Sequence, residues 1–303
     1  PIKSSAASDV YKRQEWVSKK EPHVVYALEQ GEYVLHEEQA PTEQGYVRAE
    51  DVKFVVEETG DVQKVKMEDD HTKVSISKTD ITDGKEIEGA KLQILDQDGE
   101  VVESWTTGEE HLIEYLPVGT YTLHEEAAVD GYIVANDVEF TVEETGEIQK
   151  VKMEDERAMG QLVIVKTDTD SKAALEGVEF VLLEKETGKE VGRLKTGKDG
   201  KAVSELLPIG TYENGVFKEP ITYVLKETAT LKGYEKTEEE WEIVFTYQND
   251  KTPVIEVVKE IQNKKIPETP GTVKPGPKTG DDTNWFLPLL ALGVSAGMVA
   301  GLL

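Results

Sequence analysis

The chain has 303 residues, with 61 acidic and 34 basic side chains, a formal net charge of −27 and 38% hydrophobic residues. This length favours two domains or several smaller ones, and the hydrophobic fraction is too high for a wholly disordered chain. The acidity argues against nucleic-acid binding, because neutralising phosphates requires a basic surface. With no cysteine and five histidines that never pair at ligand spacing, we expect neither disulfides, nor a metal site, nor a cofactor.

Residues 1–14 match no other part of the chain, which begins without an initiator methionine and stops inside an apolar run. We interpret residues 1–14 as a cloning or assembly artefact, with a genuine divergent loop as the alternative. The two ends together suggest a fragment of a longer protein.

From residue 15 onward the chain repeats itself. The sequence VEETGDVQKVKMED at 56–69 returns as VEETGEIQKVKMED at 142–155, with 12 of 14 positions identical. A more divergent copy follows, in which KVSISKTD becomes QLVIVKTD at 161–168. The predicted layout is a truncated repeat at 15–72, a full repeat at 73–157 and a larger full repeat at 158–266, which carries roughly eleven extra residues.

Each repeat has the pattern of short β-strands. Apolar and polar residues alternate in several short segments, and Gly, Pro and Asp mark turns between them. The pattern predicts strands at 74–77, 91–95, 121–123 and 138–142, with turns at 98–99, 117–119, 130–131 and 145–146. No window has a sustained helical period, so the predicted fold class is all-β, with tandem antiparallel β-sandwiches.

Three ionisable or amide positions recur in the repeat. They are a lysine in the first strand (Lys78, Lys166), a glutamate in the pattern Y-x-L-x-E (Glu37, Glu125, Glu227), and an acid or amide in the last strand (Asp69, Asp155, Asn263). Side chains two apart on a strand share a face, so Lys78 and Glu125 should point inward with their apolar neighbours. The first repeat keeps Glu37 and Asp69 without a lysine strand.

Two interpretations of these buried groups remain open. A buried charge is costly unless it is paired, so each set could be an ion pair. Alternatively, burial lowers the pKa of lysine and raises that of glutamate, so that a neutral amine attacks the Asp or Asn carbonyl while Glu polarises it and transfers protons. Folding would supply the proximity that amide formation needs.

The repeats resemble SpaA-type (Cna protein B-type) domains of Gram-positive surface proteins and pilins. The pattern Y-x-L-x-E-x-x-x-x-x-G-Y and the Lys-Thr-Asp strand carry this resemblance over most of 15–266. It implies a prealbumin-like β-sandwich and an intramolecular isopeptide bond. The expected bonds are Lys78–Asp155, assisted by Glu125, and Lys166–Asn263, assisted by Glu227.

The C-terminal part has the order of a cell-wall anchor. A Pro- and Gly-rich spacer at 267–284 precedes an uncharged stretch at 285–303, which predicts a transmembrane helix. The intervening Gly276, Pro277, Lys278, Thr279 and Gly280 resemble the LPxTG sorting signal, with Gly276 in place of Leu. The resemblance implies sortase cleavage after Thr279, attachment to peptidoglycan and only transient membrane contact.

The predicted function is therefore a secreted, wall-anchored structural stalk rather than an enzyme. Alternatives are a host-binding adhesin or a minor, wall-anchoring pilin subunit, with pilin subunits or host surface ligands as partners. A shaft pilin is less favoured, since the chain has no YPKN-like motif. The extra residues of the third repeat, with Phe217 and Tyr223, could form a ligand loop.

Overall fold

The computed structural model describes residues 14–267. Residues 1–13, the sorting motif at 276–280 and the predicted span at 285–303 lie outside this part. Within 14–267 no helix is long and apolar enough to cross a membrane. The regular secondary structure of the described residues consists of β-strands and one short 3-10 helix at Thr42–Gln44.

The second repeat is a sandwich of two four-stranded sheets. One sheet has the order β10-β12-β5-β8 and the other β11-β9-β6-β7. Val74, Ile76, Leu92, Ile94 and Leu123 are buried between them. The strands are β5 (Lys73–Asp80), β6 (Lys91–Leu95), β7 (Val101–Thr106), β8 (His111–Glu114), β9 (Gly119–Ala127), β10 (Tyr132–Ile133), β11 (Val138–Val142) and β12 (Ile148–Arg157), following β1 to β4 of the first repeat.

The third repeat has the same plan with one additional hairpin. β13 pairs with β16, β17 and β22, and the facing sheet has the order β15-β14-β20-β21. The hairpin β18–β19 contains the extra residues. The strands are β13 (Met159–Asp168), β14 (Glu179–Glu184), β15 (Glu190–Lys195), β16 (Lys201–Val203), β17 (Leu207–Pro208), β18 (Gly210–Glu213), β19 (Val216–Pro220), β20 (Thr222–Ala229), β21 (Glu240–Val244) and β22 (Val254–Asn263).

The sheets are antiparallel as predicted, except at one strand pair in each full repeat. The first and last strands run parallel, β5 beside β12 and β13 beside β22. Parallel neighbours need a long connection, and the whole repeat lies between these two strands. Alternation of apolar residues reports which face a side chain occupies but not the direction of the neighbouring strand.

The first repeat forms only small pieces of a sandwich. β1 (Gly31–Leu35) pairs with β3 (Val52–Val56), and β2 (Tyr46–Val47) pairs with β4 (Asp70–His71). Residues 62–69 lie outside any strand, although their sequence is nearly that of β12. The difference follows from pairing, because β12 lies beside β5 whereas no described strand lies beside 62–69.

The extra residues of the third repeat do not form a free loop. Phe217 on the hairpin packs edge-on against Tyr212, with ring centroids 5.5 Å apart. Tyr223 is buried in the core and its hydroxyl donates to the Pro208 carbonyl at 2.7 Å, as Tyr121 donates to Pro117 at 2.9 Å. Tyr223 is therefore a core residue rather than part of an exposed ligand loop.

Candidate functional site

The three recurring positions of each full repeat come from both sheets. The lysine lies on the first strand and the Asp or Asn on the last, so the parallel pair carries two of the three groups. Lys78 is directly opposite Met153 and Lys166 is opposite Ile261, which places the Asp or Asn two residues further along in both repeats. The glutamate faces them from the other sheet, on β9 or β20.

In the third repeat, Glu227 bridges the other two groups. Lys166 Nζ donates to Asn263 Oδ1 at 2.5 Å and lies 2.8 Å from Glu227 Oε2. Asn263 Nδ2 donates to Glu227 Oε1 at 2.7 Å. All three residues are buried. The carboxylate thus contacts the amine with one oxygen and the amide NH2 with the other, instead of the carbonyl oxygen that the sequence led us to expect.

In the second repeat, an aspartic acid takes the place of the amide. Lys78 Nζ makes a short contact with Asp155 Oδ1 and lies 2.9 Å from Glu125 Oε2. The same Glu125 oxygen accepts the Ala135 backbone N–H at 2.6 Å. The remaining oxygens, Glu125 Oε1 and Asp155 Oδ2, are buried without a hydrogen-bond donor. A proton shared between these two carboxyl groups would satisfy both oxygens.

Burial sets the protonation of both clusters. The pKa of Asp155 is raised to about 7, chiefly by desolvation; the neighbouring Glu125 carboxyl contributes to this rise and Lys78 opposes it. A protonated Asp155 would present a hydroxyl where Asn263 presents its NH2. Desolvation also lowers the pKa of Lys166, against the opposing effect of Glu227, which favours the neutral amine. This direction agrees with the expectation for a buried lysine.

Sequence reasoning missed two neighbours of the third-repeat cluster. Asn263 Nδ2 makes a second hydrogen bond to Thr230 Oγ1 at 2.7 Å, and Lys166 Nζ lies 5.7 Å from the centre of the Phe180 ring. Thr230 follows Glu227 by three positions, and the equivalent residue of the second repeat is Ala128. An aspartic acid at the position of Asn263 would have no second N–H for Thr230 to accept. The difference between Thr230 and Ala128 was therefore a signal that the sequence already contained.

In the first repeat the remaining positions are not brought together. Glu37 is half-buried and accepts the Ala49 backbone N–H at 2.8 Å, as Glu125 accepts that of Ala135. Asp69 is exposed and lies outside any strand, whereas its counterpart Asp155 is fully buried. The first repeat therefore retains the glutamate contact but not the lysine and the buried carboxyl group of the second repeat.

The fold and these clusters define a protein of tandem prealbumin-like sandwiches, each with a buried lysine beside a carboxyl or amide group. Residues 72–157 and 160–220 match the SpaA family, described as a prealbumin-like fold domain. This match agrees with the resemblance drawn from the repeated motifs. No curated protein matches the chain.

Solved structures show the same kind of similarity. The Bacillus anthracis TIE protein is 30% identical with a TM-score of 0.50, over 78% of this chain and 43% of that one. The chain thus spans less than half the length of that protein. The Streptococcal ancillary pilin is 19% identical (TM-score 0.30, covering 79% and 76%). The minor pilin GBS52 of Streptococcus agalactiae is 20% identical (TM-score 0.29, covering 65% and 98%).

Proposed function

We propose that this chain is a structural part of a Gram-positive cell-surface protein, in which SpaA-type sandwiches form a stalk locked by intramolecular isopeptide bonds. The observation that carries the proposal is the bridging position of Glu227 between Lys166 Nζ and Asn263 Nδ2. Such a group can move a proton from the attacking amine to the leaving nitrogen. The clusters are consumed by their own reaction, so they serve as a structural device rather than an enzyme.

The third-repeat reaction begins from the neutral amine of Lys166. Nζ attacks Cγ of Asn263, forming a C–N bond while the bond from Cγ to Nδ2 breaks. Glu227 takes the proton that Nζ loses and gives one to Nδ2, so ammonia leaves and an amide remains. In the second repeat the neutral amine of Lys78 attacks Cγ of protonated Asp155, and the bond from Cγ to the hydroxyl oxygen breaks. Glu125 takes the proton that Nζ loses and gives one to that oxygen, so water leaves. Burial excludes solvent, and the folded strands hold the reacting groups together.

The cross-links are tested by intact-mass measurement of the whole chain after folding. We expect a mass lower than the sequence mass by one ammonia and one water. In Glu227→Ala we expect the mass to be lower than the variant's sequence mass by one water only, because the third repeat no longer loses ammonia. The second repeat serves as an internal control within the same molecule. Folded wild-type protein with the full sequence mass would refute the cross-links and leave two buried ion pairs.

Wall anchoring is the second part of the proposal. It is supported by the sequence order of a Pro-rich spacer, the motif at 276–280 and an uncharged stretch at 285–303. In a Gram-positive host, sortase would cleave after Thr279 and join it to peptidoglycan. The minor-pilin alternative shares this chemistry and would add pilin subunits as partners.

Anchoring is tested by fractionating cells that express the chain behind a secretion signal. We expect wild-type protein in the wall fraction, with a C-terminal peptide ending at Thr279. Thr279→Ala should move it to the membrane or the medium, whereas the control Thr283→Ala should remain in the wall. Wild-type protein that retains 285–303 and extracts fully with detergent would show a permanent membrane anchor instead.

A further inference from the structure

The additional hairpin β18–β19 of the third repeat packs onto the second repeat, at the end of the strands that carry Lys78 and Asp155. Tyr212 donates its hydroxyl to the Gly131 carbonyl at 2.8 Å, and its ring meets that of Tyr132 edge-on at 5.2 Å. Tyr132 is fully buried, so the hairpin closes over this end of the second sandwich.

The hairpin also covers Arg157, which links the strands that carry Lys78 and Asp155. Arg157 lies two positions after Asp155, and its Nε donates to Asp80 Oδ2 at 2.6 Å. Asp80 lies two positions after Lys78, is fully buried, and also accepts the Tyr132 hydroxyl at 2.7 Å. The Tyr212 ring lies 4.1 Å from the Arg157 guanidinium, a distance typical of a cation–π contact.

The hairpin also contacts Glu86, whose side chain binds the backbone of Lys78. Gly215, in the hairpin turn, lies so close to Glu86 that an added Cβ would be 2.3 Å from the Glu86 carbonyl oxygen. The Glu86 carboxylate accepts the backbone N–H of Lys78 at 3.1 Å. The hairpin therefore contacts segments bonded to both strands of the reacting pair.

Among residues 14–267, the hydrogen bonds at the equivalent strand end of the third repeat come from that repeat itself. Asp168 corresponds to Asp80, and it accepts the Ser171 backbone N–H at 2.7 Å and the Ser171 hydroxyl at 2.9 Å. These bonds come from the loop that follows the same strand. Asp80 likewise accepts the Thr82 backbone N–H of its own loop at 2.7 Å, but it also accepts a bond from Arg157, whose exposed side would face solvent without Tyr212.

We propose that hairpin β18–β19, through Tyr212 and Arg157, is a positioning element for the Lys78–Asp155 cross-link, so that the second repeat matures only after the third repeat has docked. The inference rests on the proposed isopeptide chemistry and adds the order in which the two repeats mature. A misplacement of about 1 Å can slow a reaction between fixed groups by about a hundredfold. We expect the third-repeat cross-link to form without this contact.

The test follows both cross-links in the full chain as it refolds from unreacted, urea-denatured protein. The variants are Tyr212→Ala, Arg157→Gln and the control Lys218→Ala, an exposed residue on the same hairpin. Digestion and mass spectrometry report the loss of water at Lys78–Asp155 separately from the loss of ammonia at Lys166–Asn263. We expect Tyr212→Ala and Arg157→Gln to slow only the former, about tenfold or more, and Lys218→Ala to change neither.

The outcomes separate the order of maturation from the chemistry. Wild-type rates at both sites in Tyr212→Ala would overturn the positioning role while leaving the cross-links intact. Equal slowing at both sites would overturn it as well, because it would indicate a fault in the third repeat itself. A wild-type second repeat that never loses water would refute the Lys78–Asp155 bond and this inference with it.

Discussion

At the scale of single residues, the cross-links proposed for the two full repeats differ in their leaving group. Asn263 presents an NH2 to Glu227, and a second N–H to Thr230. Asp155 can present a hydrogen-bond donor to Glu125 only when it is protonated. The second repeat therefore depends on an ionisation that the third repeat does not have.

This difference predicts opposite responses to alkaline pH. The pKa of Asp155 is raised to about 7, so above that value its carboxyl loses the proton that lets water leave. Once the Lys78 amine is neutral, each further pH unit above the pKa of Asp155 should slow the Lys78–Asp155 reaction by up to about tenfold, as for a group required in its acid form. The Lys166–Asn263 reaction should keep or increase its rate, since Asn263 does not titrate.

The measurement is refolding of unreacted chains in buffers from about pH 6 to about pH 9, with each cross-link followed by mass. The third repeat serves as the control within the same sample. An equal decline at both sites would point to a general effect on folding and would contradict the role assigned to Asp155.

At the scale of secondary-structure elements, one sequence occurs in two environments. β12 and residues 62–69 share almost all their side chains, yet only β12 is paired on both sides. Met153 and Asp155 are buried, whereas their counterparts Met67 and Asp69 are half-buried and exposed, respectively. The stability of this strand comes from its partners and from the core beneath it rather than from its own propensity.

Hydrogen exchange should reveal this contrast directly. Amides in the core of a folded domain open only with much of the global unfolding free energy, commonly above about 5 kcal/mol. We expect the peptide covering 148–155 to exchange at least about a thousandfold more slowly than the one covering 62–69. Similar protection of both peptides would show that 62–69 is paired in solution.

At the scale of the whole molecule, each proposed cross-link joins the first and last strands of its repeat. Tension applied along the chain would enter at Lys166 and leave at Asn263 without passing through the residues between them. The segment between these two residues, which are 97 positions apart, would then not be extended. Such shielding suits a stalk that must hold its length under load.

Single-molecule pulling on the full chain tests this shielding. Wild-type protein should not release the segment between Lys166 and Asn263, whereas Glu227→Ala should release roughly 340 Å of chain at about 3.5 Å per residue. The second-repeat bond remains in that variant and provides the reference. A wild-type trace with the full release would show that the third repeat is not cross-linked.

The sequence alone indicated several of the strands and the three recurring inward-facing positions. Alternation placed Lys78, Glu125 and Asp155 on inward faces, and the strands predicted at 91–95 and 138–142 coincide with β6 and β11. These features are local, because the pleat of a strand sets the face of each side chain. The Gly-Tyr motif and the extra residues of the third repeat were also visible, although their contacts were not.

Only the tertiary structure decided how these pieces meet. The parallel pairing of the first and last strands, the position of Glu227 on the amide side, and the docking of Tyr212 over Arg157 all join residues far apart in the chain. Residues 62–69 and β12 show the reason most directly: nearly identical sequences adopt different structures, because a strand exists only where another strand accepts its hydrogen bonds and a core covers its apolar face.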